Sequence, residues 1–459
     1  MVVQHNMQAM NANRMLNVTT SAQSKSTEKL SSGYRINRAA DDAAGLTISE
    51  KMRKQIRGLD QASTNAEDGV SSVQTAEGAL TEVHSMLQRM NELATQAANG
   101  TNSKDSDRQA IQDEIDQLTT EIDRVSETTK FNETYLLKGD KGATKNVYMN
   151  GHDAGLKGTL TDSAKSATFV MDELKAGDKV TIAGKEYSIG STADEAKASY
   201  ANAAAGDKVT IDGTEYTVVD AATGTEDAYN NKLKVTSLDG KVKDGSVVSY
   251  KTSKLTVMTD KNNDGVDDDD SSVISKDVAE GKILSELTAA NNIGTVDQAA
   301  TVAKAAANGK TTYTITKGYA TVADTLSFNL HVGADADMTN KINVSIDSMD
   351  SASLGIKGLN IKDDSGNAAT YAVDAISDAI SKVSSQRSSL GAVQNRLEHT
   401  INNLDNVVEN TTTAESRIRD TDMASEMVNY SKNNILAQAG QSMLAQANQS
   451  TQGVLSLLQ

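Results

Sequence analysis

The chain has 459 residues, a formal net charge of −17 and a sequence pI near 4.8. This length exceeds what one hydrophobic core supports, so two or more packed units are expected. The negative charge argues against binding to nucleic acid, because such binding needs clustered Lys and Arg on the protein. Cys, Pro and Trp are absent, which excludes disulfides, thiolate metal sites and slow X-Pro isomerisation.

The first residues carry no targeting pattern. MVVQHNMQAMNANRML lacks a basic segment followed by an apolar stretch of roughly 7 to 15 residues, and no apolar run elsewhere is long enough to span a bilayer. We therefore expect no cleaved Sec-type signal and no membrane insertion.

From Val73, apolar residues recur at alternating steps of three and four, the spacing of a coiled-coil seam. They are Ala76, Leu80, Val83, Leu87, Met90, Ala94 and Ala97. The pattern predicts one long helix over about 64–99, ended by a left-handed Gly100. Ser106 and Gln109 offer a capping box for a second helix, which can pack back on the first. Its apolar positions are Ile111, Ile115, Leu118, Ile122 and Val125.

The middle of the chain contains an internal repeat: AGDKVTIAGKEYSI returns as AGDKVTIDGTEYTV. Each copy alternates apolar and polar residues around an Ala-Gly or Asp-Gly pair (183–184 and 212–213), which predicts a β-hairpin. We interpret the middle as a mostly β surface domain that grew by duplication.

An acidic stretch follows the pattern D-x-N-x-D-G-x-x-D, which begins a Ca²⁺-binding loop. Its residues are Asp260, Asn262, Asp264, Gly265 and Asp268. Ser271 replaces the bidentate Glu of such loops, and the like charges of 267–270 repel one another. The favoured interpretation is a solvated acidic turn, and a weak Ca²⁺ site is the alternative.

A third helical pattern lies near the other end of the chain. Its apolar positions are Ile376, Ile380, Val383, Leu390, Leu397, Ile401, Leu404 and Val408. Arg387 and Gln394 occupy two further positions of the seam. We expect this helix to close a bundle with the first two, which makes the middle of the chain an insertion.

The outermost segments also carry apolar stripes at helical spacing, with no obvious partner in the bundle. The predicted assembly residues are Leu30, Ile36, Ile435, Leu436, Met443, Leu444, Leu455 and Leu458. Ordering a residue costs roughly 1 to 2 kcal/mol, so a stripe that the monomer cannot bury favours folding coupled to association. We therefore predict ends that become ordered on assembly.

No catalytic residue and no cofactor are predicted. The sequence lacks the metalloprotease pattern H-E-x-x-H, a G-x-S-x-G elbow and a phosphate-binding Gly loop, and its five His are scattered. A structural role is therefore favoured over an enzymatic one.

Several long motifs resemble bacterial flagellins. LSSGYRINRAADDAAGLTISEKMR (30–53) and TNAEDGVSSVQTAEGAL (64–80) resemble their N-terminal region, whereas SSLGAVQNRLEHTINNL and 414–459 resemble their C-terminal region. LSFNLHVGADADMTNKINVSIDSMDSASLGI, from Leu326, resembles the β-hairpin that flagellins place beside their helical rod. The motifs occur in the family's order, at opposite ends of the chain.

The resemblance implies an α+β multidomain fold, in which both termini form a long antiparallel coiled-coil helical rod with a small β-hairpin. Residues 1–43 and 420–459 would form a terminal helical domain, a coiled coil in the filament core. Residues 44–140 and 325–419 would form the rod with its hairpin, and 141–324 a variable, surface-exposed, mostly β insertion.

The implied function is that of a structural subunit of the flagellar filament, exported unfolded through the flagellar type III apparatus without a cleaved signal peptide. It would polymerise outside the cell into a hollow helical tube for swimming. Implied partners are other copies of the chain, an export chaperone at the C-terminal helices, and filament cap and hook-junction proteins. The alternatives are an adhesin-type or receptor-ligand flagellin whose insert has its own binding role, and a minor hook-filament junction protein.

Some flagellins are recognised by a vertebrate innate immune receptor, on a rod surface around the motif matched here by LQRMNELATQAANG. By position, Arg89, Leu93 and Glu114 match its central residues, although Asn91 stands where many recognised flagellins have Arg. The alternative is that Arg89 and Glu114 are solvated or contact neighbouring subunits.

Overall fold

The computed structural model describes residues 6–103, 106–294, 297–363 and 365–456, apart from the side chains of 141 and 451–456. The α-helices are α1 (Met7–Ser32), α2 (Ala43–Ala97), α3 (Asp107–Thr128), α4 (Ala193–Tyr200), α5 (Val235–Asp239), α6 (Lys276–Ala290), α7 (Ser351–Leu354), α8 (Asn367–Arg419) and α9 (Met423–Ser456). A 3₁₀ helix covers Met338–Asn340. Within these ranges, no helix combines the length and apolar character needed to cross a membrane.

The first group of strands comprises β1 (Lys130–Phe131), β2 (Thr134–Tyr135), β3 (Asp140–Tyr148), β4 (Thr159–Asp162), β5 (Ser166–Asp172), β6 (Lys179–Ile182), β7 (Lys185–Ile189), β8 (Lys208–Ile211) and β9 (Thr214–Val218). The second comprises β10 (Lys232–Leu233), β11 (Val247–Tyr250), β12 (Ser253–Thr256), β13 (Val273–Ile274), β14 (Thr301–Ala307), β15 (Lys310–Thr316), β16 (Tyr319–Asp324), β17 (Leu326–His331) and β18 (Lys341–Ile346). The fold class is confirmed, because long helices at both ends flank a mostly β middle.

The chain divides into two compact units: 1–73, 328–344 and 391–459 form the first, and 74–327 and 345–390 form the second. In the first unit, α1 and α9 pair with each other, and we call them the terminal pair. The pair is antiparallel, because Asn6 Nδ2 donates to the Ala447 carbonyl at 3.1 Å, whereas Lys29 lies 4.0 Å from Glu426. Each terminal helix thus has a partner in the single chain, which the spacing of its residues alone did not identify.

The hairpin that the resemblance implied is present, because β17 pairs with β18. Ile342 of the hairpin packs on Ala66 of α2 and Leu397 of α8, and Asn65 Nδ2 donates to the His331 carbonyl at 2.9 Å. These contacts hold the hairpin against both helices within the first unit.

In the second unit, 74–97 of α2, α3 and 367–390 of α8 form what we call the central bundle. Its fully buried apolar residues include Ala76, Leu80, Val83, Leu87, Met90, Ile115, Ile122, Ile376, Val383 and Leu390. Ion pairs join α2 to α3 (Arg89 to Glu114, 2.9 Å) and α2 to α8 (Glu77 to Arg387, 3.7 Å). The three helices predicted from the apolar spacing are confirmed, although α2 begins earlier than predicted, at Ala43.

Both predicted end signals between α2 and α3 were wrong. Gly100 lies outside the left-handed region. The end of α2 is satisfied instead by the buried Arg108, whose Nε donates to the Ala97 carbonyl at 3.0 Å and which supplies a cation at the helix C-terminus. Ser106 makes no side-chain capping bond to the helix; its hydroxyl contacts Asp107 Oδ1 instead, at 3.1 Å.

The two copies of the sequence repeat form the predicted hairpins, β6–β7 and β8–β9. Both turn residues of each copy have positive φ: 54° and 76° at Ala183 and Gly184, and 49° and 79° at Asp212 and Gly213. This geometry is that of a type I′ turn, which matches the twist of the strands. Each copy also carries a Lys–Glu pair across the strands at 2.6 Å.

The copies lie in different sheets, one in the order β13-β7-β6 and the other in the order β10-β9-β8-β11-β12. A third sheet has the order β14-β15-β5-β4. Strands β3 and β16 pair antiparallel, with Tyr148 opposite Tyr319, and bring the two ends of the middle segment together.

Candidate assembly surface

The terminal pair carries most of the exposed large hydrophobic residues in the described part of the chain. Fourteen large hydrophobic residues are exposed there, and ten of them lie on α1 or α9: Met7, Met10, Met15, Val18, Met423, Met427, Val428, Ile435, Leu436 and Met443. Clustering of this kind marks an interaction surface, whereas single exposed apolar residues are ordinary.

The predicted assembly residues fall into three groups. Ile435, Leu436 and Met443 are exposed, by 66%, 48% and 64%. Leu30 and Leu444 are partly buried, and Ile36 is buried. Leu458 and the side chain of Leu455 lie outside the described residues.

The contact between α1 and α9 buries few apolar side chains. Among the described residues of the two helices, only Ser26 and Ala437 are buried. Gly440 allows close approach, because a Cβ there would lie 3.3 Å from Leu16 Cδ1. The pair therefore has little core of its own.

Residues 33–42 and 419–422 form what we call the elbow, where α1 ends and α8 passes into α9. Gly33 stops α1 in the left-handed conformation (φ 76°). The two segments then exchange backbone hydrogen bonds: Arg35 N donates to the Arg419 carbonyl at 2.6 Å, and Thr421 N to the Gly33 carbonyl at 3.0 Å. The elbow is thus a short two-stranded connection.

Tyr34 lies between two guanidinium groups at the elbow, with Arg53 at 5.3 Å and Arg419 at 4.8 Å from its ring centre. Arg53 Nη2 contacts the Tyr34 hydroxyl at 3.0 Å, which raises the pKa of Arg53, and Arg53 Nε donates to Glu415 at 3.0 Å. The buried Glu415 also accepts from Ser49 Oγ at 2.7 Å. Sequence reasoning missed this cluster, because its members are far apart in the chain.

The three residues predicted to bind the innate receptor differ in exposure: two lie at the surface and one is buried. Arg89 donates to Glu114 at 2.9 Å and to Glu92 at 3.1 Å, and all three side chains are exposed. The hydrogen bond to Glu114 raises the pKa of Arg89. Leu93 is buried, with 2% exposed. Arg89 and Glu114 could therefore touch a partner directly, whereas Leu93 supports the surface from beneath.

The acidic turn uses its carboxylates on its own backbone. Asp260 accepts from the Asp264 and Gly265 amides at 3.1 and 2.9 Å, and Asp268 from the Lys261 amide at 2.9 Å. Within the described ranges, no group of three or more His, Cys, Asp or Glu is arranged to hold a metal ion. The Ca²⁺ alternative at Asp260, Asn262, Asp264 and Asp268 stays a prediction.

Comparison with known proteins agrees with this arrangement of helical ends. The family model for the bacterial flagellin N-terminal helical region matches residues 3–142, and that for the C-terminal helical region matches 373–458. A flagellin of Clostridium tyrobutyricum is 41% identical over 98% of this chain and 100% of its own length. A flagellin of Bacillus subtilis strain 168 is 36% identical, with 100% of each chain covered.

Among solved structures, the flagellar hook associated protein-3 of Legionella pneumophila is 16% identical. The match covers 80% of this chain and 98% of that one, with a TM-score of 0.34. The two family models match the helical regions at both ends, and the flagellin relatives match over the full chain. The chain belongs to the bacterial flagellin family.

Proposed function

We propose that this chain is the structural subunit of a bacterial flagellar filament and that it assembles with other copies through the terminal pair. The observation that carries the proposal is the concentration of exposed apolar side chains on α1 and α9. Relatives that match over the full chain carry the name flagellin. The family is one of structural proteins, so the apolar surface is assigned to assembly rather than to a substrate.

Copies of the chain can bury these apolar side chains against one another. Burying an Ile or Met side chain contributes about 1.5–3 kcal/mol, so the exposed side chains of the terminal pair together offset the entropy lost on association. Contacts between different surfaces of identical subunits propagate into an open helix when the rotation does not close. The net charge of −17 opposes association, and salt screens this repulsion.

The test is salt-induced polymerisation followed by negative-stain electron microscopy. The full chain is compared with a chain lacking 1–43 and 420–459, and a chain lacking 141–324 is the control for a deletion elsewhere. We expect filaments from the full chain and from the control, and none without the ends. Absence of filaments from the full chain would favour a junction protein or a specialised binding role.

We further propose that the chain is secreted through the flagellar type III apparatus and that an export chaperone covers α9 before assembly. Met427, Ile435 and Met443 give α9 an apolar face that a partner can bury. Cap and hook-junction proteins would meet the same terminal helices at the two ends of the filament. Co-purification of the chain with the chaperone of its own bacterium, and its loss on Ile435→Ser, would test the chaperone contact.

A second role is favoured by the exposed Arg89–Glu114 pair. We propose that this surface binds the vertebrate innate receptor in the monomer, with Arg89 and Glu114 as contacts and Leu93 as support. Arg89→Ala is expected to weaken receptor binding. Arg124→Ala is the matched control, since Arg124 is an exposed Arg paired with Glu121 on α3. Equal binding by both variants would contradict the assignment.

A further inference from the structure

A polar cavity in the second unit lies between β3, the segment 345–354 and α8, with a volume of about 620 Å³. Hydroxyl groups of Thr325 and of several serines line it, and Lys145, Asp347, Asp378 and Lys382 supply its charges. A smaller adjoining cavity, which His152 lines, shares Asp378 and Lys382. The two lysines therefore face the same space, but their surroundings differ.

Lys145 has two partners, one of them a carboxylate: its Nζ contacts Asp347 Oδ1 at 2.6 Å and Thr325 Oγ1 at 2.7 Å. Lys382 has a single hydrogen bond within the described part of the chain, from Nζ to the Ser353 carbonyl at 3.2 Å. No described carboxylate lies within ion-pair distance of Lys382. An ammonium group has three donors, so the Lys382 amine keeps bonding capacity toward the cavity.

The surroundings of Lys382 make its ammonium form less favourable than that of a solvated lysine. Burial lowers the pKa of Lys382, and the positive charge of Lys317 lowers it further, whereas Asp378 acts in the opposite direction. Lys317 is itself paired with Asp162 at 2.7 Å, and Asp378 lies 3.4 Å from His152 Nε2. A neutral lysine amine is a nucleophile, whereas an ammonium is not.

We propose that the Lys382 amine is a covalent modification site for small acyl phosphates. The amine nitrogen attacks the acyl carbonyl carbon, and a C–N bond forms while the C–O bond to phosphate breaks. Phosphate leaves with the electron pair, and the amine proton passes to water. The product is a neutral amide, which removes an incompletely paired cation from the cavity wall. The hydroxyls of Ser385 and Ser389, which line the cavity from α8, can donate to the phosphate oxygens of the reagent as it enters.

The test treats the full-length monomer with acetyl phosphate and follows acetylation of each lysine by peptide mass spectrometry. Each rate is divided by the rate of the same lysine in the urea-unfolded chain, which removes differences of local sequence. Lys179 and Lys208 are the controls, because both are exposed and paired with a Glu at 2.6 Å. Each unit of pKa lowering raises the neutral fraction about tenfold, partly offset by weaker intrinsic nucleophilicity.

We expect a folded-to-unfolded ratio above one for Lys382, and a ratio at or below one for Lys179 and Lys208. Asp378→Asn should increase the ratio at Lys382, because it removes the carboxylate that favours the ammonium form. A ratio at or below one for Lys382, or no increase in Asp378→Asn, would overturn the proposal.

Discussion

The terminal pair and the central bundle are both built from helices with apolar residues, but they differ in how far those residues are buried. Both carry apolar residues at helical spacing. In the central bundle Leu80, Leu87 and Met90 are fully buried, whereas in the terminal pair Ile435 and Met443 are exposed by 66% and 64%. The difference lies in the number of neighbours rather than in the pattern of residues.

Three helices can enclose a core, but two helices can cover only one side of each other. In the terminal pair, the side where the two helices meet includes close contacts of small residues, such as Gly440 against Leu16. The larger apolar residues remain exposed to solvent. We therefore expect stability of the subunit and assembly of the filament to depend on different side chains, and substitutions should separate the two properties.

The largest expected effect is on the central bundle. Leu87→Ala should lower the free energy of unfolding by about 2–5 kcal/mol, because it leaves a cavity in a closed core. Urea unfolding of the monomer, followed by circular dichroism, measures the change. Met443→Ala is the matched control and should change it by less than about 0.5 kcal/mol. Equal losses in both variants would mean that the two regions do not differ.

The elbow cluster should come next. Glu415→Ala removes the acceptor for Ser49 and Arg53 and leaves a partly buried Arg without its anion, so we expect a loss of about 1–3 kcal/mol in the same assay. Glu28→Ala, which breaks the exposed pair with Arg38, should cost about 0–1 kcal/mol. A Glu415→Ala variant as stable as Glu28→Ala would show that the cluster contributes little.

Ile435→Ala should affect assembly and leave the monomer's stability nearly unchanged. Loss of part of an Ile side chain from a contact between copies removes about 1–2 kcal/mol per subunit, which raises the critical concentration for polymerisation roughly 5- to 30-fold. Sedimentation of filaments at a series of subunit concentrations measures it. An unchanged critical concentration would place Ile435 outside the contacts between subunits.

The sequence predicted those parts of the molecule whose structure is determined locally. Spacing identified most of the buried apolar residues of α2, α3 and α8, and the pairs 183–184 and 212–213 identified the hairpins, because such turns need positive φ. The cap of α2 could not be predicted, since Arg108 belongs to the following helix. Leu93 lies beside the seam, and its burial requires a bundle of three helices. The Tyr34 cluster requires residues from both ends of the chain.

The smallest expected effect measures how closely α1 and α9 pack. Gly391→Ala in α8 meets no atom within 4 Å, so the helix propensity of Ala should stabilise the chain by about 0.5–1 kcal/mol. Gly440→Ala gains the same propensity but places its Cβ 3.3 Å from the movable Leu16 Cδ1, so we expect a smaller gain or none. Urea unfolding of both variants gives the difference. An equal increase in the free energy of unfolding for Gly440→Ala and Gly391→Ala would mean that α1 and α9 can move apart slightly at Gly440. The geometry of the terminal pair would then be set by neighbouring subunits rather than by α1 and α9 themselves.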